Sequence, residues 1–269
     1  MFGMRFDIDC HYGLTKKLNP LLEVLDKYGI KATFFCVMGR DANLFEIFKL
    51  RILARKKTIK SNAMNPSGAS LPPNLPKIIH TLSFPRYVGH THPNILQKLV
   101  DSGHEVYPHG WSHIQWQRNI DNINLREHLD RCTESYYKIF GKYPIGFGSP
   151  GRVYNETALR LFDEYGFLFV GDMDGEKPFR VTPFNSIQIP VTLFKTIAQL
   201  RSENLDCDAI VDRYFQHIIG NYFSVIYEHP DNLDAFELMV LSKLFEKLTC
   251  NGIRSMTFGE IYDAVSGDC

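Results

Sequence analysis

The sequence predicts an α/β protein built on a parallel sheet, because strand-like apolar runs alternate with helical stretches along most of its 269 residues. Seven or eight such runs can be counted, and this number indicates a closed or nearly closed β/α barrel. A further observation agrees with this prediction: ionisable side chains lie at or just beyond the predicted strand ends, where such barrels carry their chemistry.

The predicted elements follow one another without internal repeats or low-complexity tracts. The strands are expected at residues 2–8, 32–37, 105–107, 146–148, 168–171, 187–191, 223–227 and 253–255. The clearest helices are expected at residues 16–28, 125–140, 155–165, 209–219 and 235–250. We expect residues 1–265 to form one domain, which suits the length of the chain.

Composition excludes several classes of protein. The chain has 30 basic and 30 acidic residues, so no net charge points to a nucleic acid partner. Its six cysteines lack C-x-x-C spacing, which argues against a structural zinc or redox motif. The sequence contains no run of 18 apolar residues, so we expect no membrane-spanning segment. Because the first predicted strand begins at the start of the sequence, we expect no signal peptide and a cytoplasmic location.

Two short motifs contain the residue types of a hydrolytic metal centre. Asp7 and Asp9 lie two residues apart at the end of the first strand, so their side chains share one face. His109 and His113 lie four residues apart after the third strand, and Gly110 between them allows a close approach. One carboxylate and two imidazoles make a three-ligand site that leaves positions open for water and substrate. The second carboxylate is then free to act as a base.

The order of these motifs resembles that of the NodB-type polysaccharide deacetylases, carbohydrate esterase family 4. Within that superfamily it is most similar to the deformylases that act on 4-formamido-arabinose carried on undecaprenyl phosphate. The similar stretches are residues 5–13, 21–35, 103–116 and 188–193, whereas residues 43–93 match poorly. The resemblance implies a distorted NodB-type barrel of seven or eight strands.

The resemblance also implies a role for each motif residue. Asp9, His109 and His113 would hold the metal, and Asp7 would take a proton from the attacking water. His229, which follows the apolar strand 223–227, would protonate the departing amine. The adjacent Glu228 is an alternative for this acid.

One family feature is displaced in this sequence. The resemblance places an arginine two residues before Pro150, but position 148 is glycine and Arg152 follows the proline instead. We expect Arg152 either to orient Asp7 or to bind a sugar phosphate, and a backbone N–H near it to help hold the developing oxyanion. Asp172, in preference to Asp174, is expected to brace this arginine.

Residues 43–92 interrupt the alternation of strands and helices. Within them, residues 44–60 combine nine apolar residues or alanines with six basic residues and one Glu. Such a basic amphipathic segment is typical of a membrane-surface element, although a helix packed on the barrel would show a similar pattern. A lipid-linked substrate favours contact with an anionic membrane surface, and hence a peripheral position on the cytoplasmic face of the inner membrane.

These observations together predict a metal-dependent amidohydrolase that removes an N-formyl or N-acetyl group from an amino sugar linked to polyprenyl phosphate, in lipid A or cell-envelope glycan modification. Zinc is the expected metal, and the ligand set also admits cobalt, nickel, manganese or iron. Two alternatives stay open at this point. One is a deacetylase of a polymer such as peptidoglycan, and the other is a non-catalytic carbohydrate-binding protein.

Overall fold

Two four-stranded sheets form the centre of the structure, a computed structural model that describes residues 1–41 and 86–267. The strands are β1 (Phe2–Ile8), β2 (Thr33–Cys36), β3 (Glu105–Pro108), β4 (Gly146–Phe147), β5 (Phe169–Val170), β6 (Phe179–Arg180), β7 (Ile187–Gln188) and β8 (Ser224–Glu228). The first sheet has the order β3-β2-β1-β8 and all its strands are parallel. The second has the order β4-β5-β7-β6, in which β6 is antiparallel to β7.

Backbone hydrogen bonds connect the two sheets at two places. The N–H of Gly148, just after β4, donates to the carbonyl of Pro108 at the end of β3 over 3.2 Å. The N–H of Thr192, beyond β7, donates to the carbonyl of Val225 in β8 over 2.9 Å. The parallel strands therefore follow one another in a distorted ring, which brings their carboxyl ends to the same side.

The strands of the second sheet are shorter than the sequence predicts. Strand β7 ends at Gln188, although the N–H of Ile189 still donates to the carbonyl of Val170 over 2.9 Å. The next residue, Pro190, has no N–H to donate, and beyond it only an isolated bridge forms, between Val191 and Asp174. The strand expected at residues 253–255 is not formed, and only the next residue, Met256, makes a bridge, to Gly3. Conversely, β6 was not predicted, because two residues are too few to show an alternating pattern.

The helices lie between the strands along the chain. They are α1 (Leu18–Lys27), α2 (Pro93–Asp101), α3 (His113–Asn119), α4 (Leu125–Phe140), α5 (Glu156–Glu164), α6 (Ile197–Ser202), α7 (Cys207–Gly220), α8 (Ala235–Cys250) and α9 (Phe258–Val265). The two longest begin at side-chain caps, since Asn124 accepts from the N–H of Glu127 and Asp234 forms a capping box with Glu237. Both have the bounds that the sequence predicts.

Strand β1 lies at the middle of the core, and every residue in it is buried. Phe6 stacks on Phe34 of β2 with ring centroids 5.2 Å apart, and Met4 and Ile8 are fully excluded from solvent. Burial of each such side chain contributes about 1.5–3 kcal/mol. The strand that ends next to Asp9 is therefore firmly held by packing.

The candidate membrane-surface segment, residues 44–60, lies outside the described residues. In the part of the chain that is described, we find no helix with the length and apolar character of a membrane span.

Candidate metal centre and active site

The two sequence motifs meet at the carboxyl ends of β1 and β3, which flank β2 in the first sheet. Asp9 follows β1, His109 follows β3 directly, and His113 is the first residue of α3. One ligand atom from each of these residues lies within 4.8 Å of the other two. The Nε2 atoms of His109 and His113 are each 3.4 Å from an oxygen of Asp9. Gly110, with φ of 73°, supplies the left-handed turn between the two histidines.

The hydrogen bonding of His109 determines which of its nitrogens can bind a metal. Its Nδ1 lies 2.7 Å from the carbonyl oxygen of Gly148, and a carbonyl only accepts, so Nδ1 carries the hydrogen. Nε2, the nitrogen left for a metal, then faces Asp9 Oδ1. Both of these atoms are buried, and neither has a hydrogen-bond partner among residues 1–41 and 86–267.

A buried imidazole nitrogen and a carboxylate oxygen that face each other in this way need either a proton or a metal cation between them. The carboxylate and the two imidazoles are ligands that zinc and other first-row divalent metals accept. The residues present therefore fit a divalent metal, although this ligand set does not select one. Their role as metal ligands stays a prediction.

Asp7, the candidate base, lies next to this site and is held by Arg5 of the same strand. The Arg5 Nε donates to Asp7 Oδ1 over 2.7 Å, and Nη2 donates to Oδ2 over 2.9 Å. Asp7 Oδ2 lies 3.9 Å from Nε2 of His109, so the carboxylate faces the candidate metal ligands.

Sequence reasoning missed Arg5. Two signals could have found it: it is a cation inside an otherwise apolar strand, and it lies two residues before Asp7, on the same face.

The structure corrects the expectation that Arg152 orients Asp7, because Arg5 binds both oxygens of that carboxylate. Arg152 has φ of 55°, an uncommon left-handed conformation for a residue with a side chain. Its guanidinium pairs with Asp174 over 2.8 Å and lies over the rings of Phe194 and Tyr227.

The expectation that Asp172 braces Arg152 is also wrong. Asp172 is fully buried and accepts hydrogen bonds from the backbone N–H and the hydroxyl of Ser149, whereas Asp174 forms the ion pair. Asp172 thus secures the turn that contains Ser149.

The charges in the site oppose the effect of burial. Burial alone would raise the pKa values of Asp7 and Asp9, but neighbouring side chains lower both: the Arg5 guanidinium acts most strongly on Asp7, and the His113 imidazole on Asp9. Burial would lower the pKa of His109, yet the carboxylates of Asp7 and Asp9 raise it. Burial lowers the pKa of His113 to about 4, so that imidazole is neutral near pH 7, as metal ligation requires.

At the end of β8 the structure separates the two candidates for the general acid. His229 faces the site, and its Nε2 lies 3.6 Å from Asp9 Oδ2. Glu228 is buried elsewhere, where its Oε1 accepts from the N–H of Ile197 over 2.7 Å and from the hydroxyl of Tyr214 over 3.1 Å. The structure therefore brings His229, but not Glu228, to the carboxylate pair.

Comparison with known proteins identifies the family of this chain. The model of the Polysaccharide deacetylase family matches residues 4–170, which is more than half of the chain. The chain belongs to the polysaccharide deacetylase family. The resemblance identified from the sequence is thus confirmed, and family membership indicates a hydrolase that acts on amide bonds.

Two relatives in this family carry the same name. A probable 4-deoxy-4-formamido-L-arabinose-phosphoundecaprenol deformylase, ArnD, of Shewanella sediminis is 27% identical over 257 residues, which cover 91% of this chain and 79% of that protein. The protein of the same name from Wigglesworthia glossinidia brevipalpis is 31% identical over 192 residues, 64% of this chain and 62% of its own length.

Solved structures support the α/β fold of the NodB type. The crystal structure of Puue allantoinase has a TM-score of 0.68 and 15% identity, and the match covers 99% of this chain and 90% of that one. At this identity the likeness concerns the fold alone.

Proposed function

We propose that this protein removes an N-formyl or N-acetyl group from an amino sugar linked to polyprenyl phosphate, by metal-assisted hydrolysis. The observation that carries the proposal is the convergence of Asp9, His109 and His113, with Asp7 beside them. The names of the two relatives support the choice of substrate, since both refer to a formamido sugar on phosphoundecaprenol.

In the proposed mechanism Asp9, His109 and His113 would hold the metal. A divalent metal supplies Lewis-acid chemistry: it polarises the amide carbonyl and makes water more acidic. Asp7 accepts the proton of the attacking water, and its low pKa keeps it ionised for this role. Arg5 donates one hydrogen bond to each oxygen of Asp7, so each oxygen keeps a further lone pair that can accept that proton.

His229, which lies next to Asp9, completes the proposed mechanism. Its Nε2 is 3.6 Å from Asp9 Oδ2, and its ring packs edge-on against Tyr227 with centroids 5.5 Å apart. We assign to His229 the transfer of a proton to the departing sugar nitrogen, which changes a poor leaving group into a free amine.

We assign the phosphate of the substrate to Arg152. Its guanidinium centre lies 5.7 Å from the ring centroid of Tyr227, which in turn contacts His229, so the cation is close to the proposed acid. A planar guanidinium suits bidentate contact with a phosphate. Arg152 is already paired with the half-exposed Asp174, so the substrate phosphate would compete with that carboxylate for the guanidinium.

For a lipid-linked substrate we propose contact between residues 44–60 and an anionic membrane surface, on the cytoplasmic face of the inner membrane. The six basic residues of this segment support the proposal, since each cation near such a surface contributes about 1 kcal/mol. Co-sedimentation with anionic and neutral vesicles tests it. Binding should favour anionic vesicles and fall with salt, and equal binding to both would contradict the proposal.

The deciding experiment is mass spectrometry of formamido- and acetamido-sugars on polyprenyl phosphate after incubation with zinc-loaded protein. Loss of one acyl group would support the proposal and identify that group. N-acetylated peptidoglycan fragments form a second arm, because cleavage of these alone would instead indicate a polymer deacetylase. Binding without cleavage in either arm would favour a non-catalytic carbohydrate-binding protein.

A further inference from the structure

Arg5 is a fully buried cation, and each of its three guanidinium nitrogens donates a hydrogen bond. Nε and Nη2 bind the two oxygens of Asp7, and Nη1 donates to the carbonyl of Gly171. The guanidinium plane lies against the ring of Phe35, 4.6 Å from its centroid. A charge buried so deeply is tolerated only when its partners satisfy it, so this geometry is strongly determined.

Two glycines leave the room that the guanidinium occupies. A Cβ at Gly171 would lie 2.6 Å from Nη1 of Arg5, closer than real Cβ contacts allow. A Cβ at Gly148 would lie 2.7 Å from Cδ1 of Phe35 and 3.2 Å from Nη2 of Arg5. Neither glycine has a positive φ, so space and not backbone conformation accounts for the absence of a side chain.

We propose that Arg5 is the positioning residue of Asp7, and that Gly148 and Gly171 leave the space that its guanidinium needs to form the two parallel hydrogen bonds. The inference rests on the proposed function, in which Asp7 is the general base. An unpaired carboxylate rotates about its last carbon–carbon bond, whereas two parallel hydrogen bonds fix that rotation. Here they fix it with Oδ2 towards His109. Misplacement of a reacting group by about 1 Å can cost about 10²-fold in rate, so such a constraint has a large effect on catalysis.

A purely structural role is the competing explanation, because Arg5 also balances buried negative charge in the core. The two roles differ in how they depend on Asp7. A positioning residue acts through Asp7, so its loss has little further effect once that carboxylate has been removed. A structural residue lowers activity by the same factor whether Asp7 is present or not.

The test is a double-mutant cycle of Arg5→Lys and Asp7→Asn on the metal-loaded protein, with kcat, KM, metal content and thermal stability measured for each variant. Lysine keeps the charge but cannot form the two parallel bonds. We expect Arg5→Lys alone to lower kcat about 10- to 100-fold with KM and bound metal nearly unchanged. In the Asp7→Asn background the same change should alter the remaining kcat by less than about twofold.

A second variant displaces the Arg5 guanidinium without changing any charge. Gly171→Ala should lower kcat while KM stays near the wild-type value, because the new methyl group pushes Nη1 away. Gly220→Ala is the matched control, since a Cβ there meets nothing within 4 Å. If Arg5→Lys does not fold, Gly171→Ala decides alone.

An equal loss from Arg5→Lys in both backgrounds, or normal kcat in Gly171→Ala, would overturn the inference. A wild-type protein that cleaves none of the acylated sugars would instead refute the proposed function. The two failures are therefore distinguishable.

Discussion

Strands β1 and β8 are neighbours in one sheet, and each leads into a pair of ionisable side chains, but the pairs are used differently. Asp7 and Asp9 are two residues apart, so both face His109, at 3.9 and 3.4 Å from its Nε2. Glu228 and His229 are consecutive, so they lie on opposite sides of the chain, and only His229 approaches Asp9. The spacing along a strand thus decides whether two groups can share one site.

The two regions also treat buried carboxylates differently. Asp7 is buried but paired with Arg5, and its pKa is lowered. Glu228 is equally buried, and its hydrogen bonds from Ile197 and Tyr214 do not offset the loss of water, so burial raises its pKa to about 8. Burial alone therefore does not reveal the charge state of a carboxylate in this protein, because the charge of its partner is decisive.

The largest expected effects come from the residues around the end of β1, where substitutions should distinguish the proposed metal ligands from the proposed general base. Substitution of Asp9, His109 or His113 by Ala should lower both bound metal and activity. Asp7→Asn should keep the metal but lower kcat by at least about 10²-fold, because a base contributes only to the transition state. Metal analysis and turnover measured on the same preparations check this. Full metal retention in His109→Ala, or near-normal turnover in Asp7→Asn, would refute the site assignment.

The next largest effect should show which of the two residues at the end of β8 is the general acid. His229→Gln should lower kcat about 10²-fold with bound metal retained, since it removes the proton donor for the leaving nitrogen. Glu228→Gln is its matched control: it changes the neighbouring residue yet should leave kcat near the wild-type value. Steady-state kinetics of both variants decide the matter. If Glu228→Gln is the slower enzyme, the assignment of the acid must be reversed.

The chain's local patterns predicted much of this arrangement. The helices α4 and α8 have the bounds that their apolar periodicity predicts, and Asn124 and Asp234 stabilise their starts through N–H groups of their own first turns. Residues 7, 9, 109 and 113 were singled out because strand periodicity and short spacing are local properties. Their convergence follows from the parallel order of β1, β2 and β3.

The partners of charged side chains were predicted less well. The choice of Asp174 over Asp172 for Arg152 depends on a left-handed turn and on the position of Ser149, neither of which leaves a periodic signal. The Arg5–Asp7 pair lay within one strand and could have been found from its i, i+2 spacing. Loop partners depend on tertiary packing, which a single sequence does not reveal.

A smaller effect concerns Arg152, which lies over Tyr227 at the end of β8. Arg152→Ala should raise KM for the phosphate-linked substrate about tenfold, equivalent to about 1.4 kcal/mol, and leave kcat nearly unchanged. A phosphate-free acylated sugar should show little change. Arg160→Ala on α5 is the control, because it removes an exposed arginine that pairs with Glu156. An equal rise in KM for both substrates would argue against phosphate recognition.

The smallest expected effect on activity comes from Glu228→Gln. This substitution should instead change how the stability of the protein depends on pH. The pKa of Glu228 rises from an ordinary 4.5 to about 8, so folding favours its protonated form. Its contribution to stability is therefore fully present below about pH 4.5 and is lost as the pH rises through about 8. Glutamine does not titrate, and its carbonyl can still accept from Ile197 and Tyr214.

The stability of Glu228→Gln relative to wild type should consequently increase with pH, by up to about 1.4 kcal/mol per unit between the two pKa values. Urea unfolding at about pH 5, 7 and 9 measures this difference. The control is Glu156→Gln, where the carboxylate is exposed on α5 and should give no such gain. If the stability difference between Glu228→Gln and wild type stays constant across this pH range, Glu228 is charged in the folded protein. The buried carboxylate at the end of β8 would then be ionised, as Asp7 is, although its hydrogen-bond partners are neutral.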